Sequence, residues 1–395
     1  MTLFNNIIFM NSKINKLRNF FKDECKTYNE KIIKRNRKLN FTHMLYFLLK
    51  INFKNEIYSS VNANLKTNKI VNVSKQAIAK KRALIRSECI KEIFRKLVKH
   101  AYDSGILKHT RTYAIDGSKI SYNKCLSVEG FKLTPNKTYT KALLSTVYDV
   151  DNKIPVNCSV TKTFNERKTV IDDLMDTFKQ GDTIVFDRGY YSKELVSVLM
   201  KNKLNYVIRM VKSSTLVKQL NDQKLNDDVF VVHDLFYMRI IKYKINNNCY
   251  YLATNIFTKD INYLKELYHK RWSVEEFYKT IKSDLKANNF TCNDFNKNQQ
   301  NIYAQMIIDV LARYLEHLIE HYIDKCPKKY QRNHKSSIRS LNENIIYLLL
   351  FKKSNQKLIK QMHILKIEKV YCKPDRHFKR IRIKPVSVWY FNAKT

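Results

Sequence analysis

The chain has 395 residues, of which 74 are Lys or Arg and 35 are Asp or Glu, so its net charge is +39. Its 44% apolar content excludes a wholly disordered chain, and the lack of any apolar run of about 18 residues argues against a membrane-spanning helix. So large a positive charge repels itself unless it meets a polyanion. Because the charge is spread along the whole chain, it favours nucleic acid over a membrane surface.

Cysteine usage and the amino-terminal segment both indicate an intracellular protein. The 8 cysteines are spread almost evenly, and no two have the spacing of a zinc ribbon or a redox pair. The first residues lack the basic start and the small-residue cleavage site of a secretory signal. We therefore expect reduced thiols and a protein that works inside the cell, together with DNA.

The charge is concentrated at the two ends of the chain. Residues 1–110 carry a net charge of +17 and residues 327–395 a net charge of +15, which leaves +7 for the larger middle part. This division predicts three regions: a helical, basic DNA-binding region at 1–110, an enzyme-sized domain at 111–325, and a basic carboxy-terminal region at 326–395.

The first hundred residues have the apolar spacing of helices. Ser74 is a predicted N-cap that opens a basic helix ending near Arg82. A short basic helix that follows other helices suits a helix-turn-helix reader of the major groove. It equally suits an ordinary amphipathic helix with a solvated lysine face, and the sequence leaves both interpretations open.

From residue 113 the pattern changes to short strands that alternate with helices. Strands are predicted at 113–115, 143–148, 156–160, 183–186 and 206–211, and helices at 166–178 and 193–201. Residues 229–257 are almost entirely strand-like, and helices resume near residue 262. The pattern predicts an α/β fold: a mixed sheet with helices, interrupted by a β-rich insertion at about 203–260 and followed by a helical tail.

Three acidic residues stand at positions where they could bind metal ions. Asp116 and Asp187 each end a predicted strand, and Glu275 lies on a predicted helix. Carboxylates at the ends of adjacent strands, joined by one from a helix, can hold two Mg²⁺ ions for phosphodiester attack. Each residue alone also has a structural interpretation, because Asp-Gly and Asp-Arg-Gly are turn signals and Glu275 has a charged neighbour in Glu276.

The predicted helix around Glu275 carries the most specific pattern. Tyr268, Arg271, Glu275 and Lys282 share one helix face, which presents a hydroxyl, two cations and a carboxylate. These residues and spacings resemble the signature of DDE transposases of the insertion-sequence-4 type. The segments Ile-Asp116-Gly-Ser and Phe-Asp187-Arg-Gly-Tyr resemble the family's two aspartate motifs, in the correct order. Asn165-Glu166-Arg167 between them is also similar to a family element.

The resemblance covers roughly residues 73–320 and implies an RNase H-like catalytic domain. It implies that Asp116, Asp187 and Glu275 form a catalytic triad that holds two Mg²⁺ ions, with Mn²⁺ able to substitute. The residues implied to contact DNA are Tyr268, Arg271, Lys282, Trp272 and Arg209. For Trp272, stacking on an unpaired base and simple packing both remain open. The implied partners are double-stranded DNA, as terminal inverted repeats and as target, and a second copy of the chain when DNA is bound.

A competing motif occurs at His317-Leu-Ile-Glu320-His321, which fits the H-x-x-E-H pattern of zinc proteases. The surrounding stretch has plain amphipathic spacing, and a protease offers no reason for the charge of +39. We therefore expect these side chains to be a solvated helix face.

Two classes of function fit these patterns. The first is an active DNA transposase that cuts and rejoins DNA by Mg²⁺-dependent phosphoryl transfer. The second is a non-catalytic, transposase-derived DNA-binding protein. Decay would be expected to damage at least one acidic motif or the helix signature, and all are intact, which favours the enzyme. A structure-selective nuclease would share the three acids without needing the Tyr268, Arg271 and Lys282 face.

Overall fold

The computed structural model describes residues 2–32, 38–54, 56–136, 138–222, 228–233, 236–245, 248–287, 292–327, 329–350 and 355–371. Cys372 and the basic run at 379–384 lie outside the described residues. The seven cysteines within the described residues are unpaired. No helix in the described part of the chain is both long enough and apolar enough to cross a membrane.

Five helices precede the first strand, as the apolar spacing predicted. They are α1 (Thr2–Ile32), α2 (Phe41–Ile51), α3 (Tyr58–Thr67), α4 (Lys75–Ala83) and α5 (Ser87–Asp103). The predicted N-cap of α4 is confirmed, because the Ser74 side chain accepts a hydrogen bond from the backbone N–H of Ala77. The apolar stripe of α5 is buried in the core.

The surroundings of α4 favour an ordinary packed helix over a helix-turn-helix reader. The connection from α3 to α4, residues 68–74, is longer than the three or four residues that join the helices of that motif. Arg82, the last basic residue of α4, is buried and donates to Gln300 Oε1 at 2.9 Å and to the Lys297 carbonyl at 2.8 Å. Lys75 and Lys80 remain exposed, so the helix has a solvated lysine face.

Within the described residues, nine strands form one mixed sheet. The strands are β1 (Thr112–Asn123), β2 (Lys132–Leu133), β3 (Tyr139–Asp149), β4 (Ile154–Thr161), β5 (Thr183–Phe186), β6 (Asn205–Arg209), β7 (Asp228–His233), β8 (Phe236–Ile245) and β9 (Asn248–Thr254). Their order is β2-β3-β1-β5-β6-β9-β8-β7, with β4 paired to β3. The β1–β5 and β5–β6 pairs are parallel and the other pairs are antiparallel. The predicted mixed α/β architecture is therefore present.

The strands predicted as an insertion belong to this sheet. β6 pairs with β9: Val207 lies opposite Thr254, and Arg209 lies opposite Leu252. The strands β9, β8 and β7 therefore extend the sheet at one edge. The helix α8 (Thr215–Asp222) lies within the same segment. The segment predicted as a β-rich insertion at about 203–260 is indeed rich in strands, but it contains a helix and continues the sheet, where an interruption was expected.

The remaining helices follow the predicted order with two changes. They are α6 (Glu166–Thr169), α7 (Lys193–Lys201), α9 (Ile261–Lys270), α10 (Trp272–Ser283), α11 (Phe295–Tyr322), α12 (His334–Leu349) and α13 (Asn355–Ile367). Two short strands, β10 (Tyr330–Arg332) before α12 and β11 (Lys369–Tyr371) after α13, pair with each other. The helix predicted at 166–178 is a single α-turn followed by π-helical and 3₁₀ turns. The second change, a break at Arg271, is described with the site.

Both faces of the central sheet are covered. Ile184 and Phe186 of β5 join the large core that contains α5, α7 and α11. Val185 between them joins a separate cluster with Leu264 and Leu267 of α9. Because successive side chains of a strand point to opposite faces, β5 is buried on both sides, as is usual for a parallel strand.

The two basic ends of the chain pack against each other. The largely buried helix α11 contacts α5 and α2 from the amino-terminal part and α12 from the carboxy-terminal part, and α1 contacts α12 and α13. Their apolar side chains form one continuous core with the sheet. The division of the chain at residues 110 and 325 stays a prediction, since this packing crosses both positions.

Candidate active site

Asp116 lies in the middle of β1. The strand continues through Asp116 and Gly117, which pair with Thr146 and Ser145 of β3. The expectation that the strand ends at Asp116, and the alternative of an Asp-Gly turn, were both wrong, because the long antiparallel partner β3 extends the strand. The Asp116 Oδ1 accepts a hydrogen bond of 2.9 Å from the Gly117 N–H.

Asp187 follows the last residue of β5, as predicted. Since Ile115 of β1 pairs in parallel with Phe186 of β5, Asp116 and Asp187 occupy adjacent positions on neighbouring strands. Such strands lie about 4.8 Å apart. The backbone after Asp187 does turn, with the Tyr190 N–H donating to the Asp187 carbonyl at 3.1 Å. The turn begins after Asp187 and leaves its position in the sheet next to that of Asp116.

Glu275 is held near these strands by a tyrosine one turn further along α10. The buried Tyr278 hydroxyl lies 2.8 Å from the Asp116 carbonyl, 2.9 Å from the Leu144 carbonyl and 3.0 Å from Thr146 Oγ1. These contacts fasten α10 to β1 and β3. The sequence alone gave no role to Tyr278.

The Arg271 guanidinium lies among the three carboxylates. Its Nη2 is 2.6 Å from Glu275 Oε1, and its Nη1 is 3.9 Å from Asp116 Oδ2. The charge of Asp187 also acts on it. The Arg271 side chain is only 7% exposed, so this cation is a buried component of the site.

Tyr268 and Arg209 flank Asp187. The Tyr268 hydroxyl donates to Asp187 Oδ1 at 3.0 Å, and burial together with the Asp187 charge raises the pKa of Tyr268 to about 12. Arg209, the last residue of β6, places Nη1 3.9 Å from Asp187 Oδ1 and stacks over the Tyr250 ring. The structure therefore brings both residues to the three acids.

The expectation of one continuous helix from Tyr268 to Lys282 was wrong. Tyr268 lies in the last turn of α9, and α10 begins at Trp272. At the junction the backbone tightens, with the Arg271 N–H donating to the Tyr268 carbonyl. The predicted grouping of the side chains holds nevertheless, because Tyr268 and Arg271 both point at the acids.

Lys282 and Trp272 occupy two different places on α10. The Lys282 Nζ donates to Ser118 Oγ at 2.5 Å, two residues beyond Asp116, and burial lowers the pKa of this lysine. Trp272 is 41% exposed and lies beside Lys279. It lines a separate cavity with residues of α12, and Glu275 is not among the residues that line this cavity. The structure therefore gathers Lys282 into the site and leaves Trp272 at its margin.

A fourth carboxylate, which sequence analysis did not assign to the site, lies beside Asp116. Burial raises the pKa of Asp116 to about 6; Arg271 and the Gly117 N–H oppose this rise, and the charges of Glu166 and Glu275 add to it. The only signal for Glu166 was its position in the Asn-Glu-Arg segment. That segment had no chemical interpretation in the sequence, because the proximity of Glu166 to Asp116 depends on the sheet.

The donor set of the site fits hard divalent cations. The groups that converge are carboxylate oxygens, which Mg²⁺ and Mn²⁺ prefer. Among the described residues, no three His, Cys, Asp or Glu side chains lie close enough to share one ion. Mg²⁺ is commonly held by only one or two carboxylates, with water and substrate phosphate as its other ligands. The carboxylates of Asp116, Asp187 and Glu275 therefore fit the group that the resemblance implies.

The residues of the competing zinc motif are engaged in packing. Glu320 accepts hydrogen bonds from Arg332 Nε at 2.8 Å and from the Cys326 N–H at 2.9 Å. The His321 ring contacts the Ile106 carbonyl at 3.2 Å. These side chains have a structural role, which agrees with the interpretation preferred over a zinc site. The expectation of a solvated face was wrong, because Glu320 and His321 bond to neighbouring segments.

Comparison with known proteins identifies a family for the chain. No curated protein sequence matches the chain. Among solved structures, the cryo-EM structure of a piggyBac transposase synaptic complex with hairpin DNA is similar with a TM-score of 0.49 and 13% identity, over 93% of this chain and 88% of that chain. The family model described as the transposase DDE domain matches residues 108–311, which include all three candidate acids. Because that match spans just over half of its length, the chain belongs to the transposase DDE domain family.

Proposed function

We propose that this chain is a DNA transposase of the insertion-sequence-4 type, which cuts and rejoins DNA at the ends of its element. The observation that carries the proposal is the convergence of Asp116, Asp187 and Glu275 around Arg271. These carboxylates come from a central strand, the end of its parallel neighbour and a helix fastened to the central strand. They are separated by up to 159 positions in the sequence, so the fold has assembled them.

An RNase H-like core is part of the proposal. Its support is the strand series β4-β3-β1-β5-β6, in which the first two pairings are antiparallel and the last two are parallel. Asp116 stands on β1, the central strand of that series, and Asp187 directly follows its parallel neighbour β5, where helices cover both faces of the sheet. This position makes the carboxylates rigid relative to each other, as catalytic geometry demands.

The proposed reaction is an exchange at phosphorus. A water or a 3′-hydroxyl oxygen loses its proton and forms a new P–O bond, while the bond to the leaving oxygen breaks and that oxygen takes up a proton. Mg²⁺ ions held by Asp116, Asp187 and Glu275 would activate the attacking oxygen and stabilise the leaving one. Tyr268 orients the Asp187 carboxylate through its hydroxyl. Arg271 balances the charge of the acids and is within reach of a phosphate bound beside them.

Further basic side chains lie beside the site, at the carboxyl ends of β5 and β6. Arg188, Arg209 and Lys212 line a cavity of 420 Å³ directly beyond Asp187. On the other side, Lys282 lies near Lys141, whose charge further lowers the pKa of Lys282. Arginine and lysine rows of this kind suit a phosphate backbone. We propose that the DNA strand to be cut runs between these two groups, with Trp272 at the margin of the path.

The proposed partners are double-stranded DNA, both as terminal inverted repeats and as target, and a second copy of the chain when DNA is bound. Inverted repeats in the sequence that flanks the gene supply the cognate substrate for a test. We expect the purified chain to cut labelled DNA at the boundary of such repeats in Mg²⁺. Binding of these ends without any cleavage would support the non-catalytic DNA-binding alternative, and cleavage directed by DNA structure alone would support a nuclease.

Metal dependence is our next prediction. Cleavage should require Mg²⁺ or Mn²⁺, should be lost in excess EDTA, and should be poorly supported by Ca²⁺, whose looser coordination seldom aligns an in-line attack. The measurement is the initial cleavage rate of a labelled end in each metal after removal of bound ions. Full activity in EDTA would exclude the proposed role of the three carboxylates.

We expect the carboxy-terminal segment to contribute to DNA affinity and Arg271 to contribute to the cleavage reaction. Removal of residues 372–395, which hold seven Lys and Arg and one Asp, should weaken binding to all DNA sequences alike. It should also reduce the salt dependence, by about 0.9 in the log–log slope for each DNA phosphate that the shortened chain no longer neutralises. Arg271→Ala should instead lower the cleavage rate of bound cognate ends, because this residue lies beside the acids.

Both variants would be compared in a salt series with binding and single-turnover cleavage measured on the same DNA. Arg339→Ala, a basic change on α12 outside the site, provides a control for loss of one charge. Should Arg271→Ala cause a uniform loss of affinity with normal cleavage once bound, the positioning role of Arg271 would be wrong.

A further inference from the structure

The carboxylate of Glu166 lies directly over Gly117, the neighbour of Asp116. Glu166 is the first residue of α6, which is fixed by an N-cap in which Asn165 Oδ1 accepts from the Lys168 N–H at 3.1 Å. A Cβ atom built on Gly117 would stand 2.7 Å from Glu166 Oε1 and 2.8 Å from its Cδ. No real Cβ tolerates such contacts, so the absence of a side chain at position 117 is what admits Glu166 to the site.

A buried hydroxyl points to the same place. Tyr190 is 1% exposed, and its hydroxyl makes no hydrogen bond of normal geometry within the described residues. Burial raises the pKa of Tyr190 well above its usual range; the charges of Glu166 and Asp116 add to the rise, and so does a hydrogen-bonding contact with the Glu166 carboxylate. A buried hydroxyl that lacks a hydrogen bond of normal geometry is costly, so its position beside Glu166 and Asp116 indicates a ligand that completes the group.

The protein balances the negative charges around Asp116 only in part, through Arg271. Glu166 forms no ion pair within the described residues, and Arg271, the cation that reaches Asp116, lies closer to Glu275, at 2.6 Å, than to Asp116, at 3.9 Å. Two carboxylates that face each other repel unless a cation lies between them. The pair Asp116 and Glu166 is therefore the part of the site with the strongest need for a positive ligand.

The chemistry and the access suit a hard cation. Two carboxylates are sufficient protein ligands for Mg²⁺ or Mn²⁺ when water or phosphate oxygens complete the octahedron. Glu166 also lines a cavity of 840 Å³ together with Asn165, Gly189 and Glu194, so an ion and a phosphate can reach it from solvent.

We propose that Glu166 and Asp116 together hold one divalent cation, which makes Glu166 a fourth carboxylate of the site. Tyr190 orients the Glu166 carboxylate or a water bound to the ion. The inference rests on the proposed function, since it concerns the metal ions of that site, but it assigns a ligand that the triad does not include.

Binding of Mn²⁺ to the full chain, measured without DNA by electron paramagnetic resonance of the free ion, tests the inference independently of catalysis. We expect Glu166→Gln to weaken the binding of one Mn²⁺ on the order of tenfold to a hundredfold. Asp116→Asn should weaken the same ion at least as much. The matched control is Glu276→Gln, since Glu276 is exposed and pairs with Lys279. The control should bind Mn²⁺ as the unchanged chain does.

The outcomes separate the inference from the proposed function. Loss of Mn²⁺ binding in Asp116→Asn with unchanged binding in Glu166→Gln would overturn the role of Glu166 and leave the proposed metal site standing. Unchanged binding in Asp116→Asn, Asp187→Asn and Glu275→Gln alike would overturn both.

A second experiment uses Gly117. Its φ is not positive, so alanine is tolerated by the backbone, and the added Cβ meets only the flexible end of the Glu166 side chain. Gly117→Ala should therefore push Glu166 aside and weaken Mn²⁺ binding by a factor similar to that of Glu166→Ala. In the Glu166→Ala background, the same Gly117→Ala change should have almost no further effect. Additive effects of the two changes would overturn the inference, because Gly117→Ala would then act without Glu166.

Discussion

Strand cleavage should fall by about a thousandfold or more in each of Asp116→Asn, Asp187→Asn and Glu275→Gln, which corresponds to about 4 kcal/mol of the activation barrier. Metal coordination is a joint property of these carboxylates, and each amide keeps the size of the side chain while removing the charge that binds the ion. Duplex binding should remain nearly intact, since affinity comes from the many Lys and Arg distributed over the chain. Single-turnover cleavage and equilibrium binding of the same labelled end measure the two effects separately.

Glu276→Gln is the matched control for Glu275→Gln. Glu276 is the next residue of α10, but its side chain points to solvent and pairs with Lys279 at 3.4 Å. Its cleavage rate should stay close to that of the unchanged chain. If Glu275→Gln cut DNA normally and Glu276→Gln did not, the helical carboxylate would have been assigned to the wrong residue, and α10 would have to bind DNA with a different face.

Asp187 and Glu275 could be predicted from sequence because each stands in a local pattern that the fold retains. Asp187 ends a short, largely apolar strand, and that strand and its end are as predicted. Glu275 lies on a helix whose apolar residues Val274, Phe277 and Ile281 face the core. This leaves the opposite positions free for chemistry. Such patterns depend on residues within one or two turns, so a single sequence is sufficient to read them.

Other features depend on contacts between distant segments and were not predictable in the same way. Asp-Gly at 116–117 is a turn signal in isolation, but pairing with the whole length of β3 keeps it in an extended strand. The segment 203–260 was interpreted as a β-rich insertion that interrupts the sheet, because the strand pattern does not reveal which strand pairs with which. Only the pairing of β6 with β9 makes it part of the sheet. Glu166 became part of the site through Gly117, 49 positions away.

A buried ionic cluster between α11 and α12 had no signal in the sequence. The His334 Nδ1 lies 2.7 Å from Glu316 Oε1, and its Nε2 lies 2.9 Å from Asp309 Oδ1. Arg313 Nη1 donates to Glu316 Oε2 at 2.8 Å. Both ring nitrogens face carboxylates, and both donate to them when the ring is protonated. The cluster holds together α11 and α12, which join the two basic ends of the chain.

Removal of this cation should have a large effect on stability. His334→Gln leaves Asp309 and Glu316 buried with only Arg313 as a counter-charge, and loss of one partner from a buried ion pair costs about 3–5 kcal/mol. The free energy of unfolding, from denaturant titration at pH 6, measures the loss. His363→Gln on the exposed face of α13 is the control and should change it by less than about 0.5 kcal/mol.

The loss should also depend on pH in a definite direction. Burial and Arg313 lower the pKa of His334, but the charges of Glu316 and Asp309 outweigh them, so the pKa is raised overall. The folded chain then holds this proton at pH values where the unfolded chain, with a histidine pKa of about 6.5, releases it. The stabilisation is fully present below about pH 6.5 and is lost as the pH rises through the raised pKa of the folded state. Neighbouring Glu316 has a pKa lowered by Arg313 and His334 despite its burial, so it stays ionised across this range. The difference in unfolding free energy between the unchanged chain and His334→Gln should therefore shrink between pH 6 and pH 9. A difference that stayed constant over that range would mean that His334 is neutral in the fold, and the cluster would then be held by hydrogen bonds without a buried charge.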